Sequence, residues 1–87
     1  YVDGAPDLVV EVLSPHTLIR DTRTTFHDYE RFGVREYWIV NPDAVAASEF
    51  FFLVEGAYAP IEPQAGVVHS RVLPGLALDL AELEENA

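Results

Sequence analysis

Asp7-Leu8-Val9-Val10-Glu11-Val12-Leu13-Ser14-Pro15 is an apolar run with a carboxylate in its middle, and its reading decides the fold. In an extended segment Asp7, Val9, Glu11 and Leu13 project to one face and Leu8, Val10 and Val12 to the other. Both faces are mostly apolar, so the spacing predicts an interior strand over residues 7–13 that is buried on both sides. Pro6 stands at its start, where a missing donor is tolerated, and Ser14-Pro15 ends it. Desolvating an ionised carboxylate costs several kcal/mol unless a cation, hydrogen bonds or a proton compensates it. Glu11 therefore needs a partner that its own stretch lacks, either an arginine or a metal.

Downstream of that strand the period changes. Phe26, Tyr29 and Phe32 recur every third residue, Asp21 is placed to cap, and Gly33 sits where a left-handed C-terminal residue is expected. These features predict a helix over residues 21–32. Arg20, Arg23, His27 and Arg31 fall three and four apart on its other side and read as a solvated basic face. Arg35-Glu36-Tyr37-Trp38-Ile39-Val40 predicts a second interior strand, closed by the turn chemistry of Asn41-Pro42-Asp43. Strand, helix, strand in this order is a βαβ unit with parallel strands.

Ser48 to Val54 and Ala57 to Ile61, joined through Glu55-Gly56, predict an antiparallel hairpin that extends the sheet. Val67 to Val72 is expected to add a short edge strand, Ala77-Leu78 to be a short extended piece, and Asp79 to cap a terminal helix left exposed by its acidic residues. The expected fold class is α/β, in one domain spanning residues 1–87, with a mixed sheet built on the central βαβ unit plus the hairpin.

Composition limits function. Fifteen acidic residues stand against five arginines and no lysine, and a net charge of −10 opposes nonspecific attraction to a phosphate backbone. Four of the arginines, Arg20, Arg23, Arg31 and Arg35, share one segment, so any nucleic-acid surface is local. No apolar run approaches the ~20 residues of a membrane span and no signal peptide is visible, so a soluble cytoplasmic protein is expected. With no cysteine there is no disulfide framework, thiolate site or thiol nucleophile. His16, His27 and His69 lack the paired spacing of a zinc site, Ser14 lacks a nucleophile elbow, and no glycine-rich phosphate loop follows the first strand. The chain begins at Tyr1 and contains no methionine, as expected of a fragment of a longer protein.

Several motifs together resemble one family. Gly4-Ala5-Pro6-Asp7-Leu8-Val9-Val10-Glu11-Val12-Leu13-Ser14-Pro15, Asp21, Tyr29, Gly33-Val34, Glu36-Tyr37-Trp38-Ile39-Val40-Asn41-Pro42 and Val72-Leu73-Pro74-Gly75-Leu76-Ala77-Leu78-Asp79-Leu80 resemble, in order and spacing, the Uma-type endonucleases of the PD-(D/E)XK superfamily. The match corresponds to the carboxyl-terminal part of such a domain. The resemblance implies a restriction-endonuclease-like fold and Mg²⁺- or Mn²⁺-dependent phosphodiester hydrolysis on DNA.

Carried onto this chain, it makes Glu11 and Asp7 the catalytic acids, with Glu11, the Val12 carbonyl and Asp7 as metal ligands. Asp7 and Glu11 lie about 13 Å apart along an extended strand, too far to share one ion unless the strand bends. Glu11's partner acid is therefore expected from a neighbouring strand upstream of Tyr1, and Asp7 is as well suited to a cap or salt bridge. The superfamily lysine, two residues after the acid, is replaced here by Leu13, and the helix lysine of Uma-type proteins by Thr25. Only Arg20 or Arg23 could bring positive charge nearby, and arginine is a poor proton-transfer group. The rival reading is a non-catalytic binding or homo-oligomerisation module in which Arg20 or Arg23 neutralises Glu11 and bare strand edges pair with another chain.

Overall fold

The computed structural model describes residues 4–14 and 22–85. Strands β1 (Leu8–Val12), β2 (Glu36–Val40), β3 (Glu49–Val54) and β4 (Ala57–Pro60) form a four-stranded mixed sheet in that order. Helix α1 (Thr22–Phe32) connects β1 to β2, which run parallel, while β3 and β4 follow antiparallel. Strands β5 (Val67–His69) and β6 (Ala77–Asp79) make a separate two-stranded antiparallel sheet, followed by α2 (Leu80–Glu85). The α/β class, the βαβ unit and the added hairpin are as the sequence predicts.

All five residues of β2 are buried, which is why its aromatic and branched side chains occupy both faces. Trp38 and Val40 meet Phe50, Ile61 and Val68 on one side, with Leu8, Phe52, Leu78, Leu80 and Leu83 around them. On the other side Tyr37 and Ile39 join Leu13, with Val9, Phe26, Tyr29, Phe51 and Tyr58 packed against them. Each fully buried aliphatic or Phe side chain contributes about 1.5–3 kcal/mol, so two small cores share the stabilisation of the domain.

Local chemistry sets the joints. Gly33, with φ of 84°, ends α1: its N–H donates to the Glu30 carbonyl and that of Val34 to the Tyr29 carbonyl, the paired bonds of a Schellman turn. Glu55 and Gly56 both have positive φ, as a two-residue hairpin turn of the primed type requires. Asn41 Oδ1 accepts from the N–H groups of Asp43 and Ala44 and closes the turn after β2. Asp79 Oδ1 accepts from Ala81 N–H at 3.0 Å and caps α2. The expected cap of α1, Asp21, lies outside the described residues.

Four expectations need correction. Strand β1 is not buried on both sides: Val10 and Val12 are 47% and 60% exposed. The strand lies at the sheet edge, so its far neighbours decide burial, and among the described residues none covers that face. Phe32 leaves the apolar stripe and is half exposed, because a three-residue spacing drifts about 60° per step around a helix of 3.6 residues per turn. Residues 67–72 do not extend the main sheet; β5 pairs with β6 instead, Val68 facing Leu78 in register. Finally, α2 is not wholly exposed, since Leu80 and Leu83 turn inward onto the Trp38 core.

Candidate functional site

Ladder geometry fixes what β1 presents. Asp7 C=O accepts from Glu36 N–H at 3.1 Å and Leu13 N–H donates to Val40 C=O at 2.8 Å, so the odd-numbered backbone groups of β1 face β2. Alternation then directs the carbonyls of Leu8, Val10 and Val12 to the opposite edge, where no described strand lies. The Glu11 side chain stands on the helix-covered face, like those of Val9 and Leu13. Its side-chain carboxylate and the Val12 carbonyl are thus adjacent in sequence, one normal to the sheet and the other in its plane.

Among the described residues the hydrogen-bond partner of Glu11 is a tyrosine. Tyr37 Oη donates to Glu11 Oε2 at 3.1 Å. Parallel register puts Tyr37 beside Val9, and the length of its ring carries the hydroxyl diagonally to Glu11. The Tyr37 side chain is fully buried, its ring meeting that of Tyr29 edge-on at 5.0 Å. Burial, and after it the negative charge of Glu11 and the hydrogen bond to it, raise the Tyr37 hydroxyl pKa far above the ordinary phenol range. The hydroxyl is accordingly a donor at any working pH. Sequence reading missed this residue, because the pairing depends on β1–β2 register; a tyrosine on the strand expected to lie beside Glu11 was the only available signal.

Across the sheet, Ile39 lies between Glu11 on β1 and Glu49 on β3, so both carboxylates stand in one row on the same face. Glu49, Ile39 and Phe51 form the floor of a groove of about 430 Å³ whose helix wall is Arg23, Phe26 and His27. Glu49 also escaped the sequence reading, for the same reason of register. Arg31 and His27 are largely exposed, Arg31 lying 3.5 Å from Asp28 and His27 3.7 Å from Glu30. Arg20 lies outside the described residues.

Asp7 sits apart from this row. Its carboxylate is 3.7 Å from Arg35 Nη1, with both side chains 58% exposed. Leu13, at the superfamily's lysine position, is buried with Tyr37 and Ile39, and Thr25 is half-buried on α1.

A second carboxylate is fully buried on the other face. Glu36 Oε2 accepts from Trp38 Nε1 at 2.6 Å, and Oε1 accepts from Ser70 Oγ, Arg71 N–H and Val72 N–H at 2.9, 3.0 and 3.1 Å. Three of these donors bind residues 70–72 to the sheet, and the four together leave this carboxylate no room for a ligand.

The family model described as Uma2, putative restriction endonuclease, matches residues 1–81. The chain belongs to that family. No curated protein matches it. Uma2 membership and the four-stranded mixed sheet agree on a restriction-endonuclease-like, nuclease-type domain. No helix among the described residues is long and apolar enough to cross a membrane.

Among the described residues no three His, Asp or Glu groups converge into a cage. Mg²⁺ keeps several waters and commonly takes only one or two carboxylates, with substrate phosphate completing the shell. One carboxylate such as that of Glu11, with a backbone oxygen such as the Val12 carbonyl next to it in sequence, is the kind of donor set that an open, largely hydrated ion takes. Asp7 is engaged with Arg35 at the far end of the strand.

Proposed function

We propose that this Uma2-family domain is the metal-binding and DNA-contacting part of a Mg²⁺- or Mn²⁺-dependent endonuclease, with Glu11 and the Val12 carbonyl holding the ion. The observation that carries the reading is Glu11 itself: a half-buried strand carboxylate that has, among the described residues, one donor and a strand edge with no neighbour. When bound, the ion would polarise the phosphodiester and lower the pKa of a coordinated water.

The chain's own residues supply position and charge. Glu11, locked by Tyr37, offers its second oxygen. Arg23 and His27 on the groove wall are the side chains offered to the phosphate backbone of a DNA strand, and the net charge of −10 over the whole chain keeps such contact local. Arg23 stabilises charge without exchanging protons, so proton transfer falls to water. Asp7 acts at the mouth of the strand through its ion pair with Arg35.

Plasmid nicking in Mg²⁺ or Mn²⁺ tests this, read beside metal titration of the wild type and Glu11→Gln. The substitution should abolish both nicking and metal binding; metal binding that survives it overturns the assignment.

The exposed Val10 and Val12 beside the open β1 edge favour a second reading, a strand-pairing oligomerisation module. That module would be dimeric or larger by light scattering and would not cleave DNA in either metal.

A further inference from the structure

The Glu11–Tyr37 contact has more order than a core tyrosine needs. A glutamate has three rotatable bonds, and a half-buried one with no fixed donor samples several positions. A ligating carboxylate must be held to a fraction of an ångström, and proteins do this by hydrogen-bonding the oxygen that the ion does not use. Tyr37 is built for that task. Its ring has no exposed surface and is bounded by Tyr29 at 5.0 Å, Tyr58 at 6.2 Å and Phe51 at 6.5 Å between centroids. Rings from α1, β3 and β4 thus fix the direction in which the hydroxyl points. It ends 3.1 Å from Oε2, and among the described residues no hydrogen bond is made to Oε1.

We propose that Tyr37 is a positioning residue for Glu11, setting the rotamer in which Oε1 is presented toward a divalent ion beside the Val12 carbonyl. This rests on the reading of Glu11 as a metal ligand. Tyr37 itself touches neither the ion nor DNA. It acts by making one carboxylate geometry permanent, so the ion meets a preformed ligand.

Tyr58 supplies a matched control. Its hydroxyl, from the same aromatic cluster, donates to the Val34 carbonyl at 2.7 Å, away from Glu11. Removing it loosens the cluster and leaves the carboxylate alone.

The experiment is calorimetric titration with Mn²⁺ alone on the full chain, for wild type, Tyr37→Phe, Tyr58→Phe and Glu11→Gln, with a thermal melt of each. Tyr37→Phe should bind Mn²⁺ about 10–100-fold more weakly, the usual loss when a ligand's outer partner is removed, while Tyr58→Phe binds like wild type. Equal affinity of Tyr37→Phe and wild type, with binding lost in Glu11→Gln, overturns the positioning role and keeps Glu11 as ligand. Equal weakening by Tyr37→Phe and Tyr58→Phe also overturns it, since general loosening then accounts for both. Binding unchanged in Glu11→Gln removes the underlying reading and the proposal with it. If Tyr37→Phe does not fold, Glu11→Asp takes its place: one methylene shorter, it withdraws from the hydroxyl, and wild-type Mn²⁺ affinity in that variant overturns the proposal.

Discussion

Glu11 and Glu36 stand on neighbouring strands of one sheet, one on each face, and they are opposites. Glu36 has no exposed surface and accepts from four donors, two of them backbone N–H groups of a distant loop. Glu11 is half-buried and among the described residues has a single donor, a tyrosine hydroxyl. A carboxylate whose acceptor capacity is filled by the protein belongs to the fold. One left with capacity to spare, in the same small domain, is available to something else.

The largest effect that can break this contrast comes from Glu36. Glu36→Gln replaces an acceptor oxygen with an NH₂ that faces donors, and either Trp38 Nε1 or the 70–72 loop loses its partner. Unsatisfied buried donors cost about 1–3 kcal/mol each, against a total near 5 kcal/mol for a small domain. Denaturant unfolding should therefore show most of the stability gone. Glu11→Gln should shift the unfolding midpoint far less, and a reversal of that order would end the distinction.

A second, smaller effect is pH-dependent. Burial, then the charges of Glu30 and Tyr29, push the Tyr58 hydroxyl up to about 12 from an ordinary value near 10. The folded state holds that proton more tightly than the unfolded chain, so the stabilisation is complete below pH 10 and is lost as pH rises through 12. Urea midpoints between pH 9 and 12 should fall with a slope that Tyr58→Phe reduces.

The smallest effect belongs to Asp7. Its ion pair with Arg35 is spread over 3.7 Å between exposed groups, so Arg35→Ala should change unfolding free energy by no more than about 0.5 kcal/mol. A larger loss would mean that Asp7 is held as firmly as Glu36 and belongs with it.

What could be read in the sequence follows a physical line. Strand β2 was legible because an aromatic and β-branched run flanked by turn chemistry has one reading, and Gly33 and Asp79 were legible because caps are local. The burial of β1 was not, since Leu8 through Leu13 look alike whether or not another layer covers Val10 and Val12. The Glu36 donors come from Ser70, Arg71 and Val72, a separation no local pattern reports. Glu11 stood out as a carboxylate in apolar surroundings, but identifying Tyr37 as its partner required the register of two strands joined through a helix.

That connection also bears on how the domain comes together. The two-residue turn at Glu55-Gly56 lets β3 and β4 meet almost as soon as the chain collapses, and the Gly33 turn holds α1 close to β2. Pairing Leu8 with Glu36, by contrast, closes a loop containing the whole helix, and the entropy of that closure comes before any reward from the pairing. The Tyr37–Glu11 contact waits on that pairing, so a hydroxyl seated on that carboxylate is a sign that the crossover has closed.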